Sequence, residues 1–153
     1  MGLETDQNSG FGYQEIRSIL LVEDDPDIAS MVRWAFGRLE NSSDTVFRYA
    51  LLVVSDGKKA IQNIRETSFD LILLDISLPI VNGFDVLIEA KKCRIYTPIF
   101  MFSGSSNQED VHYAYYLGAN GYILKSGAKE IQSRLAAVCN CYFNKLLLPY
   151  PRN

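Results

Sequence analysis

Acids, a serine and a lysine recur at one kind of position in this chain, just after a short apolar run. Glu23, Asp24 and Asp25 follow Ser18–Val22, and Asp75 follows Asp70–Leu74. Ser103, Gly104, Ser105 and Ser106 follow Pro98–Phe102, and Lys125 follows Gly121–Leu124. The steps from Asp24 to Asp75, to Ser103 and to Lys125 are 51, 28 and 22 residues. Carboxylates packed together repel one another and raise each other's pKa. A hard divalent cation relieves that repulsion, and Mg2+ takes oxygen ligands in octahedral geometry while keeping several waters. Asp24 and Asp75 can supply two such ligands, a backbone carbonyl a third, and water the rest. Lys125 beside a metal-bound anion offers a point charge for a phosphoryl oxygen or for the Asp75 carboxylate, and the Ser103 hydroxyl can donate to the same oxygen. Plainer roles compete: a helix cap for Glu23, Asp24 or Asp25, a turn residue for Asp75, a helix-entry turn for Ser103, and a surface charge for Lys125.

The elements that must bring these residues together are legible as an alternation. Apolar runs at Ser18–Val22, Val46–Val54, Asp70–Leu74, Pro98–Phe102 and Gly121–Leu124 are short and mostly unbroken, as expected of parallel strands buried on both faces. Stretches with helical spacing lie between them. Asp25–Leu39 opens on Asp-Asp-Pro, and Asp56–Arg65 carries Ala60, Ile61 and Ile64. Asn82–Lys91 follows a turn at Asn82-Gly83, and Ser106–Leu117 opens on a polar capping run. The last helix is predicted over Ala128–Leu147, with Ile131, Leu135, Val138, Tyr142 and Leu146 three or four apart. Five strands alternating with five helices imply an α/β doubly wound parallel sheet with right-handed crossovers. Ligands bind such sheets at the carboxyl ends of the strands, where all the residues named above fall.

Bulk composition sets the outer bounds. The chain has 153 residues, 48% of them hydrophobic and 22% charged, which is ordinary for one globular unit and argues against disorder. A net charge of -3 gives no basic face and no reason to expect direct nucleic-acid binding. No apolar run approaches the roughly 18 residues that a membrane span requires. The first ten residues, MGLETDQNSG, lack the basic start and apolar core of a secretory leader. Three cysteines without framework spacing fit a reducing, cytoplasmic setting. The expected organisation is a tail over 1–15, a folded unit over 16–148 with an extended last helix, and a tail over 149–153, which leaves no residues for a second, effector domain.

The blocks "ILLVEDD", "VVSDGKKAI", "DLILLDISLPIVNGFDVL", "TPIFMFSGSS" and "LGANGYILKSG", in this order, resemble a two-component response-regulator receiver domain from about Ile16 to Ala137. The resemblance implies a flavodoxin-like five-stranded sheet in the order 2-1-3-4-5 with five helices. It implies Asp75 as the phosphoacceptor, taking a phosphoryl group from a phosphohistidine on a sensor histidine kinase or phosphotransfer protein. It further implies a Mg2+ held by Asp24, Asp75, the Ser77 backbone carbonyl and, through water, Glu23. Lys125 would pair with phosphoryl oxygens, Ser103 would be the switch hydroxyl and Tyr122 the switch aromatic that turns inward with it. The remodelled face would be the fourth helix, fifth strand and fifth helix, read by a downstream protein target. Glu23 stands where Asp is commoner, Ser103 where Thr is commoner, and Ser126 where proline usually follows the lysine. A cis bond before serine costs about 3–4 kcal/mol, so the isomer at Lys125–Ser126 is left to the structure.

Other features carry less. His112 is the sole histidine and is expected to be structural or on the surface. Cys139 and Cys141 lie two apart on a helix, point in different directions and do not form a metal pair. Trp34 and the tyrosines are expected to pack in the core and on helix faces. Phe143, Leu146, Leu147 and Leu148 either fold back onto the body or support a homodimer through the fourth and fifth helices. Two rival readings remain. One is a receiver-like interaction module that is never phosphorylated, against which the intact acid set argues. The other is an enzyme on the same fold: a flavodoxin-like protein using "SGSS", or an aspartyl-phosphate hydrolase. Acids occupy the loop where the first would cradle flavin, and Ser77 stands where the second usually has an acid.

Overall fold

The computed structural model describes residues 14–42 and 46–145, the side chains of 144 and 145 excepted. The chain runs β1 (Glu15–Val22), α1 (Pro26–Glu40), β2 (Phe47–Val54), α2 (Gly57–Glu66), β3 (Leu71–Leu74), α3 (Gly83–Lys92), β4 (Ile99–Ser103), α4 (Gln108–Tyr116), β5 (Gly121–Leu124) and α5 (Ala128–Cys139), and closes on a π-helical turn over Asn140–Lys145. The five strands form one sheet in the order β2-β1-β3-β4-β5, and every pairing is parallel. This is the flavodoxin-like, doubly wound architecture expected from the sequence.

The side-chain alternation of the strands divides the core in two. Leu20, Val22, Ile72, Leu74 and Met101 face the side covered by α2, α3 and α4, where Ala60, Ile64, Val86, Leu87 and Ala114 are buried. Ile19, Leu21, Leu71, Leu73 and Phe102 face the other side, covered by α1 and α5 with Val32, Ala35, Phe36, Ile131 and Leu135. All of β3 and β4 is buried, in keeping with their unbroken apolar sequences. Each fully buried aliphatic side chain contributes about 1.5–3 kcal/mol. The edge strand β2 departs from the expected pattern: alternate residues face outward and Leu52 is 42% exposed, because among the described residues β2 pairs on one side only, with β1.

Local chemistry sets the helix starts. Asp25, Asp56, Asn82 and Asn107 cap α1 to α4, each accepting a backbone N–H from two or three residues on. Two of these caps are followed by a glycine. A Cβ on Gly83 would overlap the Asp75 carbonyl, and one on Gly57 would overlap the Val81 carbonyl. The start of α3 therefore rests directly on the backbone that follows β3.

Three sequence expectations are corrected. The final helix is not α-helical to residue 147: the α segment ends at Cys139, and the next six residues widen into a π turn. The change of pitch turns Tyr142 and Phe143 inward, toward Phe100 (5.5 Å between ring centroids) and toward Phe47 and Tyr49 (6.0 and 6.4 Å). The Arg17 guanidinium lies 4.6 Å from the Phe47 ring and 5.2 Å from the Phe143 ring, and is paired with Asp70 at 3.6 Å. Aromatic pairs of this kind are worth about 0.5–1.5 kcal/mol beyond area burial, so at Phe143 the folded-back alternative holds. Second, β1 begins at Glu15, inside the expected tail, because Glu15 already pairs with Phe47. Third, Trp34 is 45% exposed on α1 rather than in the core, while the exposed Tyr113 packs on a helix face, 4.8 Å from the Phe84 ring and 6.5 Å from that of Tyr116. Leu146, Leu147 and Leu148, residues 1–13 of the expected tail and the tail over 149–153 lie outside the described residues. The Lys125–Ser126 bond is trans, as is every described peptide bond.

Two outcomes follow from these contacts. Replacing Gly83 by alanine is expected to cost about 2 kcal/mol or more in chemical denaturation, while Gly104→Ala, with open space around its Cβ, stays within about 0.5 kcal/mol. Burial pushes the Cys139 thiol up to about 12, against the weaker pull of its hydrogen bond to Tyr49. The native protein thus keeps a thiol proton that the unfolded chain loses near pH ~8.5. Stability should accordingly fall as pH rises from there toward 12. Thiol reagents should modify exposed Cys93 and Cys141 in the native state and reach Cys139 only on unfolding.

Candidate functional site

The register of the sheet places the site. Val22 pairs with Leu74 where the strand order reverses, so Glu23 and Asp75 emerge side by side from β1 and β3. Their backbones are fixed in turn: Glu23 N–H donates to the Val54 carbonyl and Asp75 N–H to the Val22 carbonyl, both at 3.0 Å. Ser103 pairs with Leu124 at the ends of β4 and β5, and Lys125 N–H donates to the Ser103 carbonyl at 2.7 Å.

The acids after β1 have separate duties. Glu23 turns inward and is 2% exposed; its Oε1 accepts the Asp25 N–H at 3.0 Å. Asp24 stays exposed at the mouth. Asp25 caps α1, accepting the Asp27 N–H at 2.9 Å, so the capping alternative holds for this residue. Asp75 is 3% exposed and its Oδ1 accepts the Ser77 N–H at 3.3 Å.

Lys125 ties the cluster together. Its ammonium lies 2.6 Å from Glu23 Oε2 and 3.0 Å from Asp75 Oδ2, with the Phe102 ring centroid 5.6 Å away. Burial holds the Glu23 carboxyl above its ordinary range, the Asp75 charge adds to this, and the hydrogen bonds from Lys125 and the Asp25 backbone only partly offset it. Burial works to lower the Lys125 pKa, but the bonds to Glu23 and Asp75 outweigh it, so the ammonium holds its proton more firmly than a free lysine.

One carboxylate oxygen each from Glu23, Asp24 and Asp75 lies within 4.8 Å of the others. Three carboxylates against one ammonium leave two formal negative charges. Hard oxygen donors, two uncompensated charges and one open, exposed member fit a small divalent cation such as Mg2+. When bound, that cation supplies charge neutralisation for an incoming anion.

The remaining expected residues occupy the rim. Ser103 is 3% exposed, and its Oγ accepts the Ser105 N–H at 3.1 Å. Ser103 makes no hydrogen bond to Asp75 among the described residues. Tyr122 is half-buried and its hydroxyl donates to the Ser105 carbonyl at 2.8 Å. Ser105 in turn donates its hydroxyl to Asp110 at 2.7 Å. Ser77 lies in the loop after Asp75. His112 is exposed on α4, outside the site, as expected.

Sequence reading passed over three parts of this arrangement. Ser105 is the junction of the rim, yet it stood in a run of polar residues that all read as helix entry. The Lys125–Glu23 pair joins residues whose mutual approach depends on three-dimensional geometry. Gly83 carried a signal that went unused: a glycine directly after a capping asparagine is a poor helix former, and here close contact with the Asp75 carbonyl requires it.

With the geometry in view, residues 19–136 match the family model of the response regulator receiver domain. The transcriptional regulatory protein CiaR of Streptococcus pneumoniae is 33% identical over 135 residues, covering 86% of this chain and 56% of that protein. The chain thus spans about half the length of the curated relatives it matches. Among solved structures, the phosphorylated cyanobacterial phytochrome response regulator RcpA superposes with a TM-score of 0.76 at 28% identity, covering 88% of this chain and 99% of that one. The Mn2+-bound form of response regulator Rcp1 does so with a TM-score of 0.73 at 27% identity, over 88% and 99% of the two chains.

Asp24→Asn tests the electrostatic account. Removing one of three mutually repelling carboxylates should stabilise the metal-free protein by about 1 kcal/mol, a rise of roughly 2–4 °C in Tm. The same change should remove most of the further rise that millimolar Mg2+ gives the unsubstituted protein, as followed by thermal denaturation.

Proposed function

The chain belongs to the response regulator receiver domain family, and from that premise we propose that it accepts a phosphoryl group on Asp75 and signals through protein contacts. The observation that carries this reading is the Lys125 ammonium seated between Glu23 and Asp75, with Asp24 completing the oxygen cluster. The similarity to a phosphorylated form of RcpA and a Mn2+-bound form of Rcp1 supports the same reading.

In this reading Asp24, Asp75 and the Ser77 carbonyl would hold Mg2+, with Glu23 acting through water, and the ion would neutralise charge on the incoming phosphoryl group. The donor is a phosphohistidine on a sensor kinase or phosphotransfer protein. An Asp75 carboxylate oxygen attacks phosphorus, the P–N bond breaks, and the imidazole leaves with the electron pair. Such transfers need positioning and charge neutralisation more than covalent help from the protein. Lys125 is positioned to follow the new negative charge from the Asp75 carboxylate to a phosphoryl oxygen. Ser103 accepts a hydrogen bond from Ser105 N–H but keeps its own O–H to donate. The Lys125 contact is transferred, so the added charge-assisted hydrogen bond is the one from Ser103, worth about 1.5–3 kcal/mol, a part of the ~5.5 kcal/mol needed to invert a two-state population from 1:99 to 99:1.

Movement of Ser103 pulls on Gly104 and Ser105, and Ser105 holds the Tyr122 hydroxyl and Asp110 of α4. Tyr122, expected as an aromatic that turns in, is already tied to this loop in the unphosphorylated chain. The face of α4, β5 and α5 is then what a downstream protein reads, with homodimer formation there as part of the response. Three cysteines without framework spacing favour a cytoplasmic setting. No helix among the described residues is long and apolar enough to cross a membrane.

Incubation with Mg2+ and acetyl phosphate is expected to add one phosphoryl group by mass spectrometry, and beryllofluoride to perturb the site spectroscopically. Asp75→Asn should abolish both effects. A chain that stays unmodified in the first test and unperturbed in the second is not a phosphoacceptor.

A further inference from the structure

The Lys125 ammonium reaches two acids from the last position before an irregular segment. On its N-terminal side the lysine is anchored by its own N–H to the Ser103 carbonyl. On the other side come Ser126 and Gly127, neither of which restricts the backbone as proline would. Gly127 is the N-cap of α5 and offers no side-chain cap. What holds this segment is Arg134, one residue before the fully buried Leu135 of α5. Its Nη1 donates to the Leu124 carbonyl at 2.8 Å and to Ser126 Oγ at 2.5 Å. Ser126 Oγ also donates to the Leu124 carbonyl, at 3.4 Å. One guanidinium nitrogen therefore grips the residues on both sides of Lys125. It does so from a firm base, since Ile131 and Leu135 are 0% exposed and dock α5 on the sheet.

We infer that Arg134 is a positioning residue for the phosphoryl site: it holds the Leu124 carbonyl before Lys125 and the Ser126 side chain after it, and so sets where the ammonium stands. The inference rests on the phosphoacceptor reading above and adds to it a physical link between α5 and the site. A guanidinium bound to a carbonyl and a hydroxyl is a stronger tether than a neutral donor. Among the described residues Arg134 makes no hydrogen bond or ion pair to the three acids, so its effect should reach only the ligand that Lys125 contacts. The Mg2+ cluster consists of the acids themselves and should be indifferent to it.

The test compares two affinities in the full chain. Calorimetry with Mg2+ alone reads the acid cluster; beryllofluoride titrated at saturating Mg2+ reads the cluster together with Lys125. Arg134→Ala is expected to weaken beryllofluoride about five- to tenfold, the effect of one misplaced charge-assisted contact, with Mg2+ affinity unchanged. Arg134→Lys should recover part of the loss, and Ser126→Ala, which removes one of the two acceptors, should lose less than Arg134→Ala. In the metal-free protein, the Lys125 amine should be acylated several-fold faster in Arg134→Ala. Equal beryllofluoride affinity in Arg134→Ala and the unsubstituted protein would overturn the inference and leave the phosphoacceptor reading standing. Parallel losses of Mg2+ and beryllofluoride would overturn it too, by revealing general loosening. An unsubstituted protein that binds Mg2+ but not beryllofluoride defeats the phosphoacceptor reading, and the inference falls with it.

Discussion

Three carboxylates held within a few ångströms of one another are the constraint to which the rest of this domain answers. Charges of one sign cannot be gathered and partly buried unless something opposite is gathered with them. Lys125 offsets one of the three charges through its contacts to Glu23 and Asp75. One ammonium cannot balance three acids, and the charge left over suits a small divalent cation. The same cluster is a source of repulsion within the fold.

The sheet satisfies the geometric side of this constraint. In a parallel sheet all strands end at the same edge, so one charged residue after each of several strands suffices to build a cluster. The in-register pairs Val22 with Leu74 and Ser103 with Leu124 decide which strand tips are neighbours. Close contacts then lock the loops: α3 begins on a glycine lying against the Asp75 carbonyl, and α2 begins on one lying against Val81. In the Asp75 loop, Ile80 adopts φ 70°, a conformation rarely used by β-branched residues. Neighbouring hydrogen bonds, Val81 N–H to the Pro79 carbonyl and Gly83 N–H to the Ile76 carbonyl, hold it there.

Much of this was open to reading from the chain itself. Asp75 and Lys125 announced themselves because each follows a strand too apolar to end in a charge by accident. The alternation of strands and helices gave the doubly wound class, whereas the order 2-1-3-4-5 came only with the family resemblance. Side-chain partnerships between distant segments were not legible: nothing local says that Glu23 meets Lys125, that Ser105 gathers Tyr122 and Asp110, or that Arg134 reaches back to Leu124. The end of α5 misled for a related reason. A spacing of three or four fits an α-helix, yet the pull of Phe47, Tyr49 and Phe100 on the last aromatics favours a wider turn. Trp34 misled in the opposite sense, since its size argued for burial and its place on the outer side of α1 denied it.

That wider turn has a practical geometric meaning. Phe143 rests against Arg17 and Phe47, at the amino-terminal ends of β1 and β2, while the acids sit at their carboxyl ends. The two poles are separated by most of an eight-residue strand, on the order of 20 Å at about 3.3 Å per residue. Contacts made at this turn therefore stand at the antipode of the acid cluster and leave its mouth unobstructed.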